Sequence, residues 1–411
     1  MPANPGPGSW FTEEFKDKVK AILKENPHYG AKSISRLMGC TQYRAEYTLK
    51  HLEEAPQEAD KFAPTQLRTR ISELEAELSA AMRAKDRIGM VSEAMASEIH
   101  KLPRIKTETY TRNIDKKLDP EDIVLVISDV HVGSWVNPDA TGGLGEYSYE
   151  VFVRRLDRLI SAVFSIIAYM PNKISKIHVV FAGDIVDGGR IFRGQARQTD
   201  LIVAKQVTHA YERFAHLIAV LAGIQGVEVV VSTVPGNHGR IGDKGELSPC
   251  DNFDWLVGWF IRERFDLSGV KNVRFNLPDT WWMLLKVRET AFHVSHGDAF
   301  KGWAGIPFYG AIRYKQKLRE LLRETFAKGG GGEPPDFDAL ITGHFHELAY
   351  FGGIHMNGTW VGGSEYSLKD LQVGGPPHQL MLGVHNTIGV SWTRKLLLAN
   401  PKSKPKLKVY E

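Results

Sequence analysis

The sequence predicts an α/β body preceded by an all-α, helix-turn-helix-like segment and one long coiled-coil helix. Three observations lead there. From about residue 117 onward, short apolar runs rich in β-branched residues alternate with helical patterns. Residues 12–54 carry three helix patterns separated by Asn-Pro and Gly-Cys-Thr breaks. Residues 65–102 carry apolar side chains at alternating four- and three-residue spacing. The boundaries read as 1–62, 63–104, 117–398 and a basic tail, 399–411.

Thr12 followed by Glu13 and Glu14 starts the first helix. Phe15, Val19, Ile22 and Leu23 share one face, and Asn26-Pro27 ends it. A second helix runs from about Ala31 to Met38 with Ile34 and Leu37 inward. After the Gly39-Cys40-Thr41 turn, Thr41 caps a third helix with Ala45, Leu49 and Leu52 inward. A short helix, a glycine turn and a helix match helix-turn-helix spacing. Gln42, Tyr43, Arg44, Glu46, Tyr47 and Lys50 would then face DNA. The alternative is a small protein-contact module, because residues 1–61 balance nine Lys/Arg against nine Asp/Glu and lack a basic footprint.

In the next segment Leu67, Ile71, Leu74, Leu78, Ala81, Ile88, Met95, Ile99 and Leu102 occupy heptad core positions. Lys85 and Ser92 fill the remaining two, and Gly89 weakens the helix. A coiled coil here implies a homo-oligomer, a homodimer first. The alternative is a long helix folding back on the body.

In the body, DIVLVIS (122–128), IHVVFA (177–182), VEVVVST (227–233), AFHVSH (291–296) and ALITG (339–343) read as strands, with helices at 149–168 and 201–222 between them. After Leu348 the glycine-rich stretches MNGTWVGG and HNTIGVSWTRKLLL read as an antiparallel closing sheet.

Composition sets the outer limits. The 411 residues carry a net charge of +4, too mild a basic balance to name a nucleic-acid partner. Two cysteines far apart in sequence, Cys40 and Cys250, make neither a disulfide framework nor a thiolate metal site. MPANPGPGSW lacks the pattern of a signal peptide, and the longest apolar stretch, around Leu159–Met170, is too short to span a bilayer. A cytoplasmic protein with no membrane partner is expected.

Ligands in α/β sheets bind beyond the carboxyl ends of the strands. There the sequence places Asp129 and His131 (SDVHVG), Asp184 and Asp187 (GDIVDGG), Asn237 and His238 (VPGNHGR), His296 (SHGD), and His344 and His346 (ITGHFHE). Any one of these is weak evidence, and HxH alone is common. Five strand ends in order, each delivering a carboxylate, carboxamide or imidazole, point to metal ligands. Mixed carboxylate and imidazole ligands suit Mn, Fe, Zn or Ni better than Ca. His293, inside its strand, reads as packed.

This ordered set resembles the calcineurin-like metallophosphoesterase superfamily, whose pattern is DxH, GDxxD, GNH followed by Asp or Glu, a lone His, and GHxH. The resemblance covers residues 122–347 and implies a four-layer αββα sandwich. It implies two divalent ions per chain, Mn first, with Fe, Zn, Ni or Mg as alternatives. Asp129, His131, Asp184 and His346 would hold one. Asp184 as bridge, Asn237, His296 and His344 would hold the other. It also implies attack on phosphorus by a hydroxide bridging the ions, with His238 contacting the phosphate and protonating the leaving oxygen. Asp187 is grouped with His238 as a catalytic candidate, supporting it or ordering the loop. One position departs from the pattern: the acidic residue after GNH, which orients the imidazole in the family, is Gly239 here. Asp298 or Glu246 could substitute.

The superfamily includes phosphatases, nucleotide phosphodiesterases and DNA-repair-type nucleases. Arg190, Arg193 and Arg197 follow the second motif and Arg240 the third. The segment KGWAGIPFYGAIRYKQKLRELLRETF mixes Trp303, Phe308 and Tyr309 with Arg313, Lys315, Lys317 and Arg319, a mixture suited to single-stranded nucleic acid. A solvated basic helix face is the plainer reading of that segment. With the helix-turn-helix pattern, these features favour a phosphodiesterase acting on DNA, as exo- or endonuclease. Arg190, Arg193, Arg240, Trp303 and Tyr309 would bind substrate. The alternatives are a phosphomonoesterase or small-molecule phosphodiesterase, and a DNA-binding assembly protein with the phosphoesterase domain as scaffold. A looser resemblance to phage and prophage phosphoesterases implies a virus-encoded protein acting in the host cytoplasm.

Overall fold

The computed structural model describes residues 12–53, 89–90, 92–300, 305–328, 335–365, 367–371 and 374–399. The chain divides into two compact units, residues 1–82 and 83–411.

The first unit holds helices α1 (Glu13–Glu25), α2 (Ala31–Leu37) and α3 (Gln42–Glu53). Thr12 caps α1 by accepting the Phe15 N–H at 3.2 Å, and the Arg44 N–H points to the Thr41 hydroxyl at 3.4 Å. Val19, Ile34 and Ala45 are fully buried, with Phe15, Leu23, Leu49 and Leu52 packed around them. Leu37 departs from expectation. It is 60% exposed, because α2 ends there and the chain turns before the side chain reaches the small core. On α3, Gln42 bonds Glu46 at 2.9 Å and the Tyr43 and Tyr47 rings lie 6.2 Å apart, so part of the expected DNA-facing set contacts itself.

The second unit is built on two sheets. The larger has strand order β11-β10-β1-β2-β3-β4, with β1 (Glu121–Ile127), β2 (Lys176–Ala182), β3 (Glu228–Val234), β4 (Val273–Asn276), β10 (His378–His385) and β11 (Gly389–Leu397). The run β1 to β4 is parallel, and β10 and β11 close it antiparallel. The smaller sheet has order β5-β6-β7-β9-β8, with β5 (Trp282–Val287), β6 (Thr290–Ser295), β7 (Ala339–Thr342), β8 (Ala349–Phe351) and β9 (Ile354–Met356).

Strand alternation assigns the layers. Val124, Val126, Val180 and Ala182 point from the first sheet to Phe292, Val294 and Ile341 of the second. Ile123, Leu125, Val179 and Phe181 point the other way, into a core shared with helices α4 (Tyr149–Tyr169), α5 (Val203–Ala222) and α6 (Phe253–Ser268). Leu340, Ile354 and Met356 leave the far face of the second sheet and meet Ala311 and Leu322 of α7 (Phe308–Lys328). The stack is helix, sheet, sheet, helix. β1 is buried along its whole length, as a strand covered on both faces must be.

One further expectation is corrected. MNGTWVGG is no strand: only Met356 belongs to β9, and residues 357–363 form a loop over the ends of β1 and β7. The end of the heptad segment packs on this unit. Ile99 is buried and Met95 half-buried against the large core, while Leu102 is 41% exposed. The earlier heptad positions, Leu67 to Ile88, and the tail from residue 400 onward lie outside the described residues. No helix among the described residues is long and apolar enough to cross a membrane.

Candidate metal centre

The carboxyl ends of β1, β2 and β3 and those of β6 and β7 come to one place, and the loops leaving them are hydrogen-bonded to one another. The N–H groups of Val130 and His131 donate to the Asp184 carbonyl at 2.8 and 3.0 Å. The N–H of His344 donates to the Asp129 carboxylate at 2.9 Å, and that of His238 to the Asp184 carboxylate at 2.7 Å. Six non-glycine residues have positive φ among the described residues: Asp129, His131, Asp184, His344, His346 and Arg288. All but Arg288 are sequence-selected ligands. The left-handed region is costly for these side chains, so the fold holds strain where the strand ends must turn these candidate ligands inward.

Ligating atoms converge in three groups, each within 4.8 Å: Asp129, His131 and His346; His131, Asp184 and His238; and Asp184, His296 and His344. His131 Nε2 lies 3.2 Å from His346 Nε2, and His344 Nδ1 3.3 Å from His296 Nε2. His296 Nε2 also lies 3.1 Å from both Asn237 Oδ1 and Asp184 Oδ2. All seven proposed ligands therefore stand together, with Asp184 common to two groups.

The electrostatics fit divalent cations. Burial pushes His344 down to about 4 and His346 well below its ordinary value, so both present neutral lone pairs. Burial alone would raise the Asp184 carboxyl, but His296 and His238 beside it hold it well below the usual carboxylate range. Two neutral imidazoles and an ionised central carboxylate suit a mixed N/O metal site. His296 is the exception: burial opposes its protonation, but Asp184 and Asp129 raise it to about 10, so it must lose that proton to ligate.

His238 borders this set at its open side. Its Nδ1 lies 3.0 Å from the Asp187 carbonyl and 3.6 Å from the Asp187 carboxylate, which also stands 3.3 Å from His131 Nδ1. Burial opposes its protonation, but Asp184 and Asp187 raise His238 to about 9. Asp187 is thus the carboxylate beside the imidazole. Neither Asp298 nor Glu246 takes that place: Glu246 accepts the Asp243 N–H at 2.7 Å, and Asp298 acts on His296 and Tyr314.

The vacancy left by Gly239 is filled from α6. Asp254 is fully buried and accepts four backbone N–H groups, those of Asp184, Ile185, Val186 and Gly236, at 2.8–3.1 Å. A Cβ on Gly239 would lie 2.3 Å from Asn252 Oδ1 and 2.8 Å from the Asp254 carboxyl carbon. Sequence reasoning missed Asp254 because it sits inside a helix pattern with no motif around it. Its one visible signal is Asn252, the N-cap of α6, two residues earlier. Also missed was the relay behind Asp129. Asn357 donates to Ser128 Oγ at 2.9 Å, and Ser128 donates to Asp129 Oδ2 at 2.5 Å.

The expected substrate contacts divide. Arg190 and Arg193 are exposed on the loop after Asp187, and with Arg240 they form no ion pair among the described residues. Tyr309 is 77% exposed on α7, and among the described residues no hydrogen bond or ring contact ties it to the centre. Trp303 lies outside the described residues. The basic face of α7 is smaller than expected. Lys315 donates to the Asp338 and Gly352 carbonyls at 2.8 and 3.0 Å, and Arg319 grips Asp336 through two bonds of 2.7 and 2.6 Å. His293 is packed as expected, stacked on Trp282 at 5.1 Å. Lys50 belongs to α3, and its side chain lies outside the described residues.

A family model described as calcineurin-like phosphoesterase matches residues 123–348. Among solved structures the chain is similar to a single-substitution variant of Vps29 from Entamoeba histolytica, at 15% identity over 66% of this chain and 98% of that one, with a TM-score of 0.29. It is similar to YfcE, a phosphoesterase from E. coli, at 16% identity over 67% and 99%, TM-score 0.26. A phosphopantetheinyl hydrolase, PptH from Mycobacterium tuberculosis, gives 12% identity over 70% and 100%, TM-score 0.26. No curated protein matches the sequence.

Proposed function

The chain belongs to the calcineurin-like phosphoesterase family, and from that premise we propose that it is a dinuclear-metal phosphodiesterase whose substrate is DNA. One observation carries the reading: the two ligand groups anchored on Asp129 and on His296 are joined through Asp184 and His131. Asp129, His131, Asp184 and His346 would hold one ion, and Asp184, Asn237, His296 and His344 the other. Manganese is the first choice. When bound, the ions supply Lewis acidity to the phosphoryl oxygens and make water nucleophilic near neutral pH.

The protein's own groups do the rest. His238 keeps its Nδ1 proton on the Asp187 carbonyl, which leaves Nε2 to protonate the departing oxygen. Gln195, itself bonded to Asp187 at 2.6 Å, fixes that pair. Arg190, Arg193 and Arg240 would meet the phosphates flanking the scissile one. These arginines, which form no ion pair among the described residues, support a polyanionic substrate. The internal use of Lys315 and Arg319 removes α7 as its main support.

Labelled single- and double-stranded DNA, bis-p-nitrophenyl phosphate and p-nitrophenyl phosphate, each with Mn²⁺ or chelator, test the reading. Metal-dependent cleavage of DNA and the diester is expected. Turnover of the monoester alone would make the protein a phosphomonoesterase.

A further inference from the structure

Four rings lead outward from the metal centre. The His346 and His131 centroids lie 5.1 Å apart, those of His131 and His238 4.5 Å, and those of His238 and Phe192 6.5 Å, each pair edge-to-face. The row begins among ligands and ends in solvent, since Phe192 is 48% exposed. A single exposed phenylalanine is ordinary. This one is held in place. Gln195, 1% exposed, accepts the Ile191 N–H at 2.8 Å and donates its own N–H to the Phe192 carbonyl at 3.3 Å. Its side chain then donates to the Asp187 carbonyl, so the loop that presents Phe192 is bolted to the group behind His238. At Gly188, φ is +76° and a Cβ would lie 2.4 Å from the His238 carbonyl oxygen, so the loop presses against the histidine segment. Arg190 and Arg193 stand exposed on either side of the ring in sequence. The Trp135 N–H donates to the Gln198 carbonyl at 2.8 Å, and its ring, 46% exposed, is a second aromatic attached to the same loop.

We propose that Phe192 is a specificity residue, a platform on which the nucleobase of the leaving nucleoside stacks while Arg190 and Arg193 take the neighbouring phosphates. This deepens the phosphodiesterase reading and rests on it. The side follows from adjacency: the Phe192 ring stands 6.5 Å, centroid to centroid, from the imidazole that protonates the leaving oxygen, so the group attached to that oxygen passes the ring. An aromatic face recognises any base, and the platform therefore selects nucleoside esters over alkyl esters without selecting sequence.

The test uses the full chain loaded with Mn²⁺. Substrates are the dinucleotide TpT and two analogues in which one or the other nucleoside is abasic. Wild type is expected to favour TpT over one of the analogues by roughly 5- to 160-fold in kcat/KM, the scale of one base–aromatic stack. F192W should keep that ratio. F192L, which retains apolar bulk without a ring, should bring it close to one. A ratio near one in wild type, or an equal ratio in wild type and F192L, overturns the platform and leaves the diesterase standing. Hydrolysis of bis-p-nitrophenyl phosphate but of no dinucleotide overturns the platform and the DNA substrate together. Failure to hydrolyse any diester ends the phosphodiesterase reading as well.

Discussion

Asp187 and His238 meet through both the backbone and the side chain of the aspartate. The carbonyl of Asp187 lies 3.0 Å from His238 Nδ1 and its carboxylate 3.6 Å from the same atom. The carbonyl sets the tautomer and the carboxylate favours the charged ring. H238A should lower kcat roughly 10²–10⁴-fold with metal content intact, the usual scale for a positioned acid–base group. D187A should fall less, about 10–100-fold, because the carbonyl bond survives the substitution. Elemental analysis beside steady-state kinetics checks both. Equal activity of H238A and wild type would move leaving-group protonation to another residue.

Asp184 sits in two of the ligand groups, so its neutralisation should be felt at both ions. D184N is expected to abolish diester turnover and lower bound metal, read as ions per chain after dialysis against Mn²⁺. A wild-type protein that never binds more than one ion per chain would remove the two-metal arrangement.

Gly239 and Asp254 form a pair of opposite needs. Inserting the family's acid by G239D should lower activity, since the new Cβ would enter the space of Asn252 and Asp254. D254A should be worse. It leaves four buried N–H groups without their acceptor, at roughly 1–3 kcal/mol each if unrelieved. Both are checked by thermal melting and metal content. A G239D protein more active than wild type would show that the acid is missed.

How much the sequence discloses follows from these positions. Asp129, Asp184, Asn237 and the histidines were legible because each ends an apolar run, and strand ends of a parallel sheet share one side. The fold was legible for the same reason, through runs buried on both faces. Asp254 was not, because its bonds reach Asp184 and Gly236, far away in the chain. Lys315 and Arg319 misled because a basic residue on an amphipathic helix looks alike whether it meets solvent or a carbonyl. Residues 357–363 misled because their apolar members cover the centre instead of extending a strand.

His293 gives a test of stability against pH. Its ring is buried between Trp282 and Phe337, neither ring nitrogen has a hydrogen-bond partner among the described residues, and burial pushes its pKa down to about 4. The unfolded chain protonates near the ordinary value, about 6.5. Above that pH both states are neutral and the residue has no effect. As pH falls from about 6.5 to about 4 the unfolded state gains a proton that the folded state refuses, so stability drains away, by on the order of 3 kcal/mol. Urea titrations of the chelated protein should show this loss, and H293F should show a smaller one. Identical pH slopes would mean that the ring is hydrated or paired in solution.

We propose that the heptads at 65–102 join two chains and that residues 12–54 grip DNA. A cut at Lys117 would be a poor test. Ile99 is buried in the large core, the Ile105 N–H donates to Ser268 at 2.9 Å, and the Tyr110 N–H donates to the Gly223 carbonyl at 2.8 Å. A truncated chain starting at Gly89 spares those contacts and removes the first three helices. It should keep two ions and turnover of a small diester, become smaller by light scattering, and bind DNA less tightly at fixed salt. Two linked arms raise the effective concentration of DNA at the centre without touching the ligands. Salt must be held constant, because phosphate contacts make affinity steeply salt-dependent. If the shortened chain keeps its mass in solution and its DNA affinity, the arm neither dimerises nor reads DNA, and a protein-contact role for residues 12–54 replaces both.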